Sequence, residues 1–185
     1  MELTMHTTNT APDESRAVLE GIQADLGFVP NLAASTATSP ALIAGFDGLR
    51  RAVAGTKVDP VDREVAGLAT GVVVGNRYGV AFHSTMLANL GVGEDDLAAM
   101  RAGRAPSAHK QAAVYEFATA VAENRGRVAD DIIERLKHAG ASEADILDLL
   151  TECAFASLVG LIDNLAGGVT LDAFLAPRAW RGVEH

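Results

Sequence analysis

The sequence of 185 residues holds a single cysteine, Cys153. It therefore has no intrachain disulfide and no multi-cysteine metal site. Positive charge is scarce as well: 15 Lys and Arg stand against 24 Asp and Glu, a net charge of −9. That balance argues against a nucleic-acid partner, which needs a basic face, and against an anionic membrane surface. Long apolar runs are missing. The longest, Val65–Val74 and Cys153–Ile162, are about ten residues, half of the roughly twenty that a bilayer requires. The polar stretch Met1–Thr10 lacks the apolar core of a secretory signal, so a cytoplasmic location is expected. There is no HExxH, Walker loop or GxGxxG, and His6, His109, His138 and His185 are not at metal-ligand spacing. No metal and no cofactor is expected.

Period-two alternation is almost absent too, and helical periodicity takes its place. With 49% apolar and 21% charged residues, one sizeable core is expected. Val18, Leu19, Ile22 and Leu26 form an apolar stripe on a helix beginning near Pro12. Ser39-Pro40 and Asp59-Pro60 are helix starts, an N-cap followed by proline at the first helical position. The first of these helices runs to Ala54, the second to about Val74. Gly75-Asn76 interrupts the pattern before a helix over Tyr78–Leu90. Further helices are expected over Gly93–Met100, Ser107–Asn124, Ala129–Ala139 and Ser142–Ala166, the last with a capping box from Ser142 to Asp145. A final turn is placed at Val169–Leu175. The expected fold is all-α with seven to nine helices, organised as a flexible arm (1–10), one helical domain (11–176) and a tail (177–185). A gapless overlay of Glu64–His83 on Asp145–Asn164 matches Leu68 with Leu149, Thr70 with Thr151 and Gly79 with Gly160, a faint sign of two similar helical halves.

Chemistry concentrates in Asp62–His83, DREVAGLATGVVVGNRYGVAFH. On a helix after the break, Asn76, Gly79 and His83 share one face. Glu64 lies on the preceding helix, and if the two helices pack, a carboxyl and an imidazole meet over that face. Such a pair can relay protons near neutral pH. The same residues also suit a solvated first-turn glutamate and a core histidine bonded to a carbonyl. Asn76 suits either an oxyanion donor or a helix N-cap.

The window resembles the AhpD-like family, which includes the carboxymuconolactone decarboxylases. In its thiol members an acidic residue precedes a CxxC by twelve positions and a histidine follows the second cysteine by four. Here the series reads Glu64, Asn76-Arg77-Tyr78-Gly79, His83. Acid, tyrosine, histidine and spacing match, while Asn76 and Gly79 replace both cysteines. Gly27-Phe28-Val29-Pro30-Asn31 and Ser39-Pro40 resemble segments of peroxidase-related members. The resemblance implies an AhpD-like helical domain and a homo-oligomer, a trimer or a hexamer of paired trimers.

Disulfide-cycling peroxide reduction needs a thiolate, which neither Asn76 nor Gly79 supplies, and the decarboxylase branch carries Glu where Gly79 stands. Three readings follow. In the first, Glu64 and His83 are catalytic in non-thiol acid/base chemistry on a small organic ligand, with Asn76, Tyr78 and Gly79 walling the substrate pocket. The second is a non-catalytic ligand-binding or structural oligomer. The third is a peroxidase that recruits Cys153 or an external thiol. Cys153 itself reads as core packing, Arg50-Arg51 and Arg101–Arg104 as solvated or helix-terminal charges, and Trp180 as an anchor for the tail against another subunit.

Overall fold

The computed structural model describes residues 1–183; the last two positions of the expected tail lie outside them. The elements in chain order are α1 (Asp13–Leu26), α2 (Asn31–Thr36), α3 (Pro40–Ala54), α4 (Pro60–Val73), α5 (Arg77–Asn89), α6 (Glu94–Arg101), α7 (His109–Glu123), α8 (Asp130–His138), α9 (Glu143–Ala166) and a short 3₁₀ helix (Ala173–Arg178). Among the described residues there is no strand. The fold is all-α.

Helix starts follow local chemistry. Ser39 accepts from the Leu42 amide and Asp59 from the Val61 amide, each ahead of a first-turn proline. Ser142 and Asp145 close a reciprocal capping box, which satisfies two otherwise unpaired donors. The break between α4 and α5 needs Gly75, whose φ of 69° is a left-handed conformation that costs glycine little.

Helix α4 is buried on nearly every side, from Glu64 through Val72, as a central helix must be. It packs against α5, α7 and α9. One core cluster joins Val65, Leu68, Ala69 and Val72 to Val80, Leu87, Val114, Phe117, Leu149 and Cys153. A second gathers Leu19, Ile22, Ile43 and Phe46 with Tyr78, Ala81, Val159 and Ile162. The first ten residues, expected as a flexible arm, lie against this second cluster: Leu3 packs on it, and the amide of His6 donates to Ala34 O.

Several expectations are corrected. The overlay of two halves has no structural counterpart, because Asp145–Asn164 lies within one continuous helix whereas Glu64–His83 crosses the α4–α5 break. The last turn falls at Ala173–Arg178, not Val169–Leu175. Asp172 explains the shift: its carboxylate accepts from the Asn31 amide and from the Tyr78 hydroxyl, and its own backbone is extended just ahead of the 3₁₀ helix. Trp180 is buried on its own chain and donates to Arg101 O. Arg101 in turn donates to Ser84 Oγ and to the carbonyls of Arg178 and Ala179, so it clamps the tail rather than facing solvent. Arg50 and Arg51 both bond Asp25 and Asp47 and tie α1 to α3.

Candidate functional site

Glu64 sits one turn into α4 and His83 midway along α5. Their side chains meet across the interface of the two helices, with Glu64 Oε2 2.8 Å from His83 Nδ1. The residues are 6% and 7% exposed. Glu64 Oε1 accepts from Arg63 Nη2 at 3.1 Å. Burial alone pushes the Glu64 carboxyl up, yet the hydrogen bond from His83 and the positive charges of His83 and Arg63 outweigh it and hold the group below its ordinary range. For His83, burial disfavours the cation, but the bond to Glu64 and the negative charges of Glu152 and Glu64 prevail and raise the imidazole.

Glu152 is the member of this cluster that sequence reading missed. It lies on α9, 2% exposed, with Oε1 3.5 Å from His83 Nε2 and no hydrogen-bond partner of its own. Burial, reinforced by the negative charge of Glu64, pushes its carboxyl up to about 7 against the pull of His83 and Arg63. A signal was present: Glu152 occupies the same helical face as Leu149 and Ala156, where an apolar residue belongs.

The His83 ring and the Glu152 carboxyl meet over Gly67. A β-carbon on Gly67 would lie 2.5 Å from His83 Nε2 and 2.6 Å from Glu152 Oε1, closer than real contacts allow. Glycine at this turn of α4 makes room for the imidazole and the second carboxyl to approach the helix axis.

The remaining expected site residues serve other purposes. Asn76 is fully buried and caps α5: its Oδ1 accepts from the Gly79 amide at 2.8 Å, and Nδ2 donates to Ala156 O. Gly79 opens no space beside His83, because the Asn76 carboxamide fills it. Tyr78 is turned about 140° around α5 from His83, by helical geometry. It joins the second core cluster, where its hydroxyl donates to Asp172. Neither Asn76 nor Tyr78 is brought to the Glu64–His83 pair as a pocket wall. A cavity of about 260 Å³ lies elsewhere, lined by Val61, Val65, Val92, Asp96, Met100 and Gln111 among others.

Cys153 faces the core, and burial pushes its thiol up to about 12, so it is no thiolate near neutrality. Among the described residues no three His, Cys, Asp or Glu side chains converge to hold a metal ion. No described helix is long and apolar enough to cross a membrane.

Comparison with known proteins supports the fold. Residues 40–124 match the carboxymuconolactone decarboxylase family. Among solved structures, the debrominase Bmp8 in complex with 2,3,4-tribromopyrrole superposes with a TM-score of 0.76 at 17% identity, over 96% of this chain and 95% of the other. An alkylhydroperoxidase AhpD-core, peroxidase-related protein from Ralstonia eutropha JMP134 gives 0.75 at 22% identity over 92% of each chain. A peroxidase-related protein from Silicibacter sp. TM1040 gives 0.72 at 18% identity over 94% and 91%. No curated protein matches the chain.

Proposed function

From a chain of AhpD-like fold whose residues 40–124 belong to the carboxymuconolactone decarboxylase family, we propose that the protein carries out non-thiol acid/base chemistry on a small organic ligand. Glu64 and His83 are its proton-transfer pair. The observation that carries this reading is the 2.8 Å bond between Glu64 Oε2 and His83 Nδ1, in a motif whose two cysteine positions are taken by Asn76 and Gly79. With Nδ1 engaged by a carboxylate, the ring presents Nε2 as the exchanging nitrogen. In that role Glu64 fixes the ring and His83 takes or gives the proton. The same fold holds a small halogenated heterocycle in the debrominase, which supports a small organic molecule as the ligand class.

A second reading has its own support. The pair is closed to solvent and its expected neighbours, Asn76 and Tyr78, are engaged elsewhere. These features favour a non-catalytic binding or structural oligomer. Leu147, Leu150, Leu161 and Leu165 of α9 are 41–70% exposed, an apolar face suited to a second copy of the chain, and both readings include a homo-oligomer, trimer or hexamer. Neither involves nucleic acid or membrane, and both are placed in the cytoplasm.

The test is a panel of small carbonyl acids and heterocycles in D2O, followed by proton NMR for carbon-bound exchange and by thermal shift. Acid/base function predicts exchange or turnover that His83→Gln abolishes. Binding that persists in His83→Gln, with no exchange in the wild type, selects the structural reading. An alkyl hydroperoxide with a dithiol should not be consumed, and Cys153→Ser should change nothing.

A further inference from the structure

Arg63, Glu64, His83 and Glu152 form a chain of groups that runs inward from the surface. The Arg63 side chain is about a quarter exposed and its guanidinium lies 3.1 Å from Glu64 Oε1; Glu64 Oε2 lies 2.8 Å from His83 Nδ1; His83 Nε2 lies 3.5 Å from Glu152 Oε1. The inner end is the unusual part. A carboxyl oxygen without any partner, in a residue only 2% exposed, is costly to a fold. It is also aimed at the one ring nitrogen that Glu64 leaves unengaged.

We propose that Glu152 is the positioning residue that stores the proton of His83: the two share one proton across Nε2 and Oε1, so the ring changes charge without exchanging with solvent. The inference rests on reading Glu64 and His83 as a proton-transfer pair. In the step, the His83 Nε2–H bond breaks and a Glu152 Oε1–H bond forms. The imidazolium becomes a neutral ring protonated on Nδ1, still donating to the Glu64 carboxylate, and Glu152 becomes a neutral acid. The charge of the pair is unchanged, and no other reactant is needed.

Three observations support the transfer. Nε2 and Oε1 stand just beyond hydrogen-bond length, a separation typical of proton-transfer partners before a ligand tightens the site. Gly67 supplies the space in which they approach. The charged groups acting on Glu152, namely His83 from α5 and Glu64 and Arg63 from α4, oppose one another, and burial favours the protonated carboxyl. The carboxyl therefore sits near neutrality, close enough to the imidazole for a proton to pass either way.

Nitrogen NMR of the His83 ring tests this without any ligand. Glu152→Gln keeps shape but takes no proton. It should lower the His83 titration midpoint by about one pH unit, a tenfold change, and Glu152→Asp should restore part of it. Gly67→Ala keeps every titratable group while pushing Nε2 and Oε1 out of place, and should shift the same Nε2 resonance even if Glu152→Gln folds poorly. An unmoved His83 midpoint in Glu152→Gln, or an unmoved Nε2 resonance in Gly67→Ala, overturns the inference. Failure of the acid/base reading looks different: no ligand would be turned over while His83 still answers to position 152.

Discussion

The carboxamide of Asn76 fills the space a side chain at Gly79 would need; a β-carbon there would lie 2.8 Å from Asn76 Cγ. The two positions are thus complementary, a large polar side chain facing none. Replacing both together removes the obstacle. Asn76→Cys with Gly79→Cys should place two sulfurs one helical turn apart, near enough to close a disulfide after small backbone adjustment. Titrated thiols should fall by two on oxidation. The reduced form should lose about 1 kcal/mol of stability with the helix cap, read from urea denaturation.

Buried partners are costly to orphan. Glu64→Gln or His83→Ala should each destabilise the fold by about 1–3 kcal/mol. Their double mutant should lose less than the sum, because the second change removes a group already unpaired. Additive losses in denaturant titrations would contradict the direct bond.

The pH dependence of stability should be asymmetric. Glu152 titrates higher in the fold, about 7, than its ordinary 4.5, so the native state binds more protons between those values and stability falls as pH rises through that window. His83 is raised too, which continues the loss above about 6.5, its ordinary value. Glu64 is lowered; its contribution is present above its ordinary value and lost on acidification below it. Thermal melts at constant ionic strength should therefore weaken from pH 5 to pH 8, and Glu152→Gln should flatten the lower half of that slope.

Asp163 accepts from the amides of Arg77, Tyr78 and Val169 while 1% exposed. It holds the positive end of α5 and the chain after α9 at once. Asp163→Ala should cost about 2–3 kcal/mol, since three donors lose a charged acceptor. Amide exchange should speed up in the first turn of α5 before it does in α4.

Much of this architecture was legible because it is local. Ser39-Pro40, Asp59-Pro60 and the Ser142–Asp145 box carry their helix starts in two to four residues. Spacing across one short break left the meeting of Glu64 with His83 as one of two readings, and it is the resemblance of the motif that singles it out. What failed depends on residues far apart in sequence. Tyr78 leaves the expected pocket for Asp172, a partner 94 residues away in sequence. Glu152, a carboxyl on an apolar helix face, acquires meaning only when that helix docks against α4 and α5. Asn76 had two roles open to it, and the nearby Gly79 amide, a local donor, decided between them.

The long helix α9 supplies Glu152 to the cluster, Asp163 to the start of α5, and an acceptor for Asn76 at Ala156. All three contacts span 69 to 86 residues of chain. During synthesis, then, Glu64 and His83 emerge and can pair long before the segment that seals them. Closing so large a loop is slow relative to forming a helical hairpin. A nascent chain ending before residue 143 would hold its imidazole open to water, and the site becomes a buried one only when the final long helix arrives.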